Sequence, residues 1–216
     1  MIFEPTHKEP GCQGIGVDAG DLFETAEKAV IEAAYLQKQL LVLCATATLA
    51  AAGVEAPCVD AEWLLAHVLD CPRAELALRH SNILTDAQQT EWDSLIAQRA
   101  ERIPLQHLLG TAVFCGLEME VNAHVLVPRP ETELLAEQAW GFVSGLPSPT
   151  VLDFGTGSGC LAIVVAAHCP GARVMALDVS PEALAVARAN AERHGVAPHI
   201  EFHEGDGCEG LPGEDA

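Results

Sequence analysis

The stretch VLDFGTGSGCLAIVVAAHCPGARVMALD, residues 151–178, constrains this chain more than any other. TVLDFG reads as a buried strand, SGCLAIVVAAHC as a helix ended by Pro170-Gly171, and RVMALDV as a second strand. Between the first strand and the helix stand Gly155, Gly157 and Gly159, so the turn bears little side chain and sits at a helix N-terminus. Further on, Ser180 caps a helix with Pro181 at its first position, PEALAVARANAERHG, which closes at Gly195. HIEFHEGD is a third strand. Strand–helix–strand–helix–strand implies an α/β unit with a parallel sheet and right-handed crossovers.

The turn also selects its ligand. A dinucleotide fingerprint G-x-G-x-x-G counted from Gly155 needs glycine or alanine at position 160, where Cys160 stands. The pattern present is G-x-G-x-G preceded by Asp153. It suits a ligand with an amino-acid end, Asp153 holding the ammonium and the backbone of Gly155, Thr156, Gly157, Ser158 and Gly159 the carboxylate. Asp178 closes the second strand nineteen residues beyond Gly159, where a carboxylate accepts both ribose hydroxyls of an adenosine. S-adenosyl-L-methionine is therefore the expected ligand, with a dinucleotide or a purely structural turn as the alternatives. Asp206, after the third strand, reads either as a reach to the adenine side or as a solvated loop aspartate.

Upstream the period is helical. Residues 1–20 form an unpatterned leader, and 21–39 are helical in composition with Asp21 as a cap, together an N-terminal extension of residues 1–39. Residues 40–110 predict a small bundle of four or five short helices. LLVLCATATLAAAG ends at Gly53, and VDAEWLLAHVL repeats Trp63, Leu64, His67, Val68 and Leu69 at helical spacing, with Asp60 as a cap and His67 as a core or boundary residue. PRAELALRH opens with Pro72, and Thr85 with Gln88 forms a capping box before a helix to about Arg102. Residues 111–124 alternate in period two and turn at Cys115-Gly116, predicting a hairpin linker to a last domain, residues 125–216. Two prolines bracket Arg129 in VLVPRPETE and open a helix at about Glu131; this segment is either a rigid linker or a loop held over a site.

Charge excludes several roles. With 31 acidic against 11 basic residues the net charge is −20, and no basic stripe exists: Arg99 and Arg102 flank Glu101, Arg188 and Arg193 flank Glu192. Direct nucleic-acid binding and an anionic membrane surface are excluded as main roles. Eight cysteines without a C-x-x-C pair fit a reduced, cytoplasmic chain. His199 and His203 are four apart but lie in strand-like text, so no metal is expected. The first twenty residues hold no apolar signal segment, and the run 40–52 is too short to span a bilayer.

DAEWLLAHVL, RIPLQHLLG, FCGLEMEVNAHVLVPRPETELL and VLDFGTGSGCLAI, in this order, resemble the peptide chain release factor N5-glutamine methyltransferases over about residues 40–208. A sister group modifies a ribosomal protein of the large subunit; the PRPETE block favours the release-factor group. The resemblance implies a helical domain that docks the protein substrate, a hairpin linker and a Rossmann-like methyltransferase domain, of which this chain would hold the first three parallel strands. It implies methyl transfer from S-adenosylmethionine to the side-chain amide of the glutamine in the Gly-Gly-Gln loop of class I release factors, a step of translation termination. By position, Gly155 to Gly159 and Asp178 would hold the cofactor, and Gly207 stands where the family carries a large residue against adenine. The family's Asn-Pro-Pro-Tyr motif, which orients the target amide after a fourth strand, is not among these 216 residues. The expectation is a C-terminally truncated, inactive chain with its first strand exposed as a sheet edge. The alternatives are a non-catalytic fragment that binds a release factor through its helices, the ribosomal-protein enzyme, and a small-molecule methyltransferase.

Overall fold

The computed structural model describes residues 19–76 and 84–207. The leader up to residue 18, the last four residues of the helix expected from Pro72, and the final residues from Cys208 lie outside them. Among the described residues, four α-helices form the N-terminal bundle: α1 (Ala19–Ala51), α2 (Pro57–Val68), α3 (Asp86–Ala100) and α4 (Leu105–Leu109). Leu49, Leu64, Leu65, Trp92 and Leu95 make its core.

Helix α1 crosses the expected boundary at residue 39 without a break. No glycine or proline interrupts 21–52, and Gln37, Lys38 and Gln39 are good helix formers, so nothing stops propagation. Asp21 consequently lies inside the helix, which begins at Ala19. Gly53, at φ +75°, ends the helix as expected, and the Arg102 guanidinium donates to its carbonyl. Leu36, Leu40 and Leu43 stay exposed on the outward face.

Asp60 does not cap α2, which starts at Pro57 after Ala56. It is buried instead, and accepts from Nε of Arg99 on α3 at 2.8 Å. His67 is exposed rather than in the core. The described part of PRAELALRH is a 3-10 turn, Arg73–Glu75, with Pro72 at its N-cap. The capping box of α3 is present: Gln88 N–H donates to Thr85 Oγ1 at 3.3 Å, and Thr85 N–H to Gln88 Oε1 at 3.0 Å.

Strands β1 (Thr111–Phe114) and β2 (Leu117–Glu120) pair antiparallel, Phe114 opposite Leu117. Cys115 and Gly116 turn between them at φ +47° and +78°, the positive pair that a two-residue hairpin turn demands. The hairpin does not hang free. Phe114 and Met119 belong to the core of the following α/β unit, and Ala112 and Val121 pack against Ala183 and Val186 of that unit.

That unit comprises α5 (Pro130–Val143), β3 (Thr150–Phe154), α6 (Cys160–His168), β4 (Arg173–Asp178), α7 (Pro181–Arg193) and β5 (Ile200–Glu204). The three strands are parallel in the order β3-β4-β5, with Phe154 opposite Leu177 and Asp178 opposite Glu204. Ile163, Val164, Val174 and Ala176 are fully enclosed between α6 and the sheet. Trp140 of α5 stacks on His168 of α6 at 4.2 Å. His199 falls in a 3-10 turn and His203 in β5, so the pair shares no helix. β3 pairs with β4 alone and forms one edge of the described sheet, where Leu152 and Phe154 are 36% and 60% exposed. Leu134, Leu135 and Phe142 of α5 are exposed too.

Candidate cofactor site

The carboxyl ends of the three parallel strands meet at the glycine turn. The chain leaves β3 at Phe154 and takes left-handed conformations at Gly155, Gly157 and Gly159, φ +72°, +55° and +80°. The three glycines do different work. A Cβ at Gly159 would stand 3.0 Å from Ala187 Cβ and 3.1 Å from Ile163 Cδ1, so this glycine lets α6 and α7 close on each other. A Cβ at Gly155 would meet nothing within 4 Å, and one at Gly157 only the Gly155 carbonyl at 4.0 Å. At those two positions the backbone borders open space, an uncovered cradle in the surface of the turn.

The backbone donors of this turn are largely engaged. Gly155 and Thr156 N–H both donate to the Leu177 carbonyl, at 2.8 and 2.9 Å, and Gly159 N–H donates to Thr156 at 2.9 Å. Gly157 N–H donates to Asp178 Oδ2 at 2.8 Å. Of the five residues expected to present N–H groups to a ligand carboxylate, these four spend theirs on shaping the turn.

Asp153 is likewise occupied. Its Oδ2 accepts from Thr156 Oγ1 at 2.7 Å and from Ala162 N–H at 3.2 Å, so it caps the first turn of α6, which Gly159 cannot do. Burial raises its carboxyl above the ordinary range; the Thr156 and Ala162 hydrogen bonds pull the other way, and Asp178 adds a smaller push upward. Asp178 itself is fixed from both sides, Oδ1 accepting from Ser180 N–H at 3.0 Å. Two bonds leave a carboxylate with acceptor capacity for ribose hydroxyls.

Gly205 N–H donates to the Asp178 carbonyl at 3.0 Å, and this brings the end of β5 beside β4. Asp206 follows it, exposed, and Gly207 takes φ +132°. Asp153, the turn, Asp178 and Asp206-Gly207 thus gather at one end of the sheet. Arg129 and Glu131 are different. Both are exposed at the start of α5, Arg129 as an extended N-cap at φ −104°, ψ +147°, and neither has a described hydrogen bond to the turn. Cys160, at the head of α6, is pushed by burial to about 11, so it stays a thiol at neutral pH.

Two further side chains tie the surrounding elements together: Glu133, inside the PRPETE block, and Asn190, which no motif announces. Glu133 Oε1 accepts the N–H of Cys115 at 2.7 Å, tying the hairpin turn to α5. Asn190, fully buried in α7, bonds both β2 and the glycine turn. The one signal for Asn190 in the sequence is an amide set among alanines on the apolar side of a helix.

Comparison with known proteins extends the geometry. Residues 39–110 match the family described as PrmC N-terminal domain, and residues 151–216 one described as Methyltransferase domain. A release factor glutamine methyltransferase of Chlorobaculum tepidum is 46% identical over 158 residues, 71% of this chain and 54% of that protein. The enzyme of the same name from Deinococcus radiodurans is 45% identical over 82% of this chain and 63% of its own length. That from Mycolicibacterium smegmatis is 49% identical over 68% and 51%. Among solved structures, an RNA methyltransferase of Salinibacter ruber in complex with S-adenosyl-L-homocysteine is 31% identical, TM-score 0.32, over 37% of this chain and 50% of that one. The methyltransferase match, which begins at the strand leading into the turn, gives S-adenosylmethionine as the cofactor. By sequence and by domain order the chain is similar to the release factor glutamine methyltransferases, spanning about half the length of the curated relatives it matches.

Proposed function

We propose that this chain carries the cofactor-holding and substrate-docking parts of an enzyme that methylates the Gly-Gly-Gln glutamine of class I peptide chain release factors. The observation that carries the reading is the union, in one chain, of a PrmC-type helical domain with an open glycine cradle bonded to Asp178. Bound S-adenosylmethionine supplies an electrophilic methyl group on a sulfonium. Asp178 offers acceptors to its ribose, the faces of Gly155 and Gly157 admit its amino-acid end, and Asp206 stands at the adenine side. Arg129 and Glu131, exposed in their stiff segment, are left for the protein substrate.

An amide nitrogen is a poor nucleophile because its lone pair is delocalised into the carbonyl, so the acceptor half of the reaction depends on orientation. In the family this task belongs to Asn-Pro-Pro-Tyr, which the 216 residues do not contain. The 216-residue chain by itself is therefore expected to hold cofactor and to dock the release factor without turnover. Purified chain with release factor and methyl-labelled S-adenosylmethionine should show no incorporation, while calorimetry detects S-adenosylhomocysteine binding. Robust labelling would overturn the claim of inactivity; no heat of binding would overturn the cofactor site.

The second reading, a non-catalytic docking fragment, draws on a surface groove of about 1290 Å³ bordered by Leu36, Leu40 and Leu43 of α1 and by Trp63 and Arg73. It predicts that release factor is retained by the chain without cofactor, and less by a Trp63→Ala variant. A cytoplasmic site of action follows from such a substrate. No helix among the described residues is long and apolar enough to cross a membrane.

A further inference from the structure

Helix α7 is the shared wall between the hairpin and the glycine turn. On one side its Ala183 and Val186 pack on Ala112, Val121 and Val125, and Arg193 forms an ion pair with Glu118. On the other, Ala187 lies so close to Gly159 that no Cβ fits between them. One turn further along α7, Asn190 touches both neighbours with a single amide. Its Oδ1 accepts the Glu120 N–H at 2.7 Å; its Nδ2 donates to the Glu120 carbonyl at 3.0 Å and to the Ser158 carbonyl at 2.9 Å.

The geometry is that of a strand neighbour supplied by a side chain. Exchanging two hydrogen bonds with one residue is what the next strand of an antiparallel sheet would do for β2. The amide then spends its second N–H on the glycine turn. Asn190 is completely buried, and a buried amide is destabilising unless its polar atoms are bonded. Leucine or alanine would fill the same helix face without that risk. An amide here is explained by the joint it makes among three segments that are distant in sequence.

We propose that Asn190 is a positioning residue that couples the cofactor turn to the hairpin, so that occupancy of the turn tightens β2 and the joint to the helical domain. This rests on the cofactor reading given above. A ligand seated against Gly155 and Gly157 restrains the turn, and with it the Ser158 carbonyl. The amide bonded to that carbonyl is restrained in turn, and its oxygen receives the Glu120 N–H. Docking of protein substrate by the helices and loading of cofactor are thereby linked, and linkage between two binding events is reciprocal.

The test is hydrogen exchange followed residue by residue by NMR on the 216-residue chain, with and without saturating S-adenosylhomocysteine. In the wild type, exchange should slow at the turn and also, by roughly threefold or more, at the Glu120 amide. In Asn190→Ala the turn should still slow on addition of ligand, with affinity weakened roughly tenfold, the scale of one lost buried hydrogen bond. Glu120 should no longer respond. Asn190→Asp keeps the acceptor for Glu120 and the side-chain volume but loses both donors, and it should behave as Asn190→Ala does. Arg188→Ala, on the exposed side of the same helix, should leave both responses intact. Slowing at the turn without slowing at Glu120 in the wild type overturns the coupling, as does a Glu120 response that survives both Asn190 variants. If the turn itself does not respond, the cofactor reading fails and the coupling falls with it. Should neither variant fold, the wild-type measurement decides.

Discussion

Gly155 and Gly159 carry the same residue type and the same sign of φ, yet they answer to different constraints. Alanine at either position meets left-handed strain, about 1 kcal/mol. At Gly159 the added methyl also collides with Ala187 and Ile163, so Gly159→Ala is expected to be the less stable variant by a further 1 to 3 kcal/mol or so. At Gly155 the methyl projects into the cradle, so Gly155→Ala should lose S-adenosylhomocysteine binding with a small change in Tm. Thermal melts paired with calorimetry separate the two. Asp153 adds a pH signature. Its folded-state pKa is raised by burial, so folding favours the protonated form, and this favourable contribution is lost as pH rises from the ordinary value of 3.8 through the raised one. Asp153→Asn keeps an acceptor for Thr156 Oγ1 and Ala162 N–H without the charge. Relative to wild type, its Tm should improve as pH is taken upward through that window; a constant difference would refute the assignment.

Among the elements, local chemistry was legible and partnership was not. The capping box at Thr85, the hairpin at Cys115-Gly116, the Ser180 cap and the alternation of β3, α6, β4, α7 and β5 all rest on contacts within a few residues. Asp60 looked like a cap because a carboxylate at a helix start satisfies N–H groups; its tie to Arg99 spans 39 positions, beyond any local pattern. The unbroken α1 was hidden by a change of composition at residue 40, which is not a helix-stop signal. The site shows the same division. The glycines and Asp178 were readable from spacing, whereas the internal use of the turn's N–H groups and the reach of Asn190 required the assembled sheet. The Asp60–Arg99 pair pins α2 to α3 with side chains only 10% and 15% exposed, and Arg99 also donates to the Ile103 carbonyl at 3.0 Å. Removing the cation leaves a buried carboxylate unpaired, so Arg99→Ala should lower unfolding free energy by about 3 kcal/mol in denaturant titration. A loss under 1 kcal/mol would mean that Asp60 is rescued by water.

At the scale of the whole molecule, the two larger hydrophobic cores among the described residues belong one to the bundle and one to the α/β unit, and a smaller third cluster joins the hairpin to α7. The expected boundaries made the hairpin a linker between them, yet Phe114 and Met119 are buried in the second core and Asn190 closes β2 onto α7. In packing, the hairpin belongs to the part that follows it. The joint lies at Gly110, where the chain turns at φ +76° out of α4 and its carbonyl accepts from Val121 N–H at 3.0 Å. A joint at that position has a bearing on descent. Gene rearrangement could replace the helices before Gly110 with another module while the hairpin, its buried amide and the glycine turn travelled together as one heritable block.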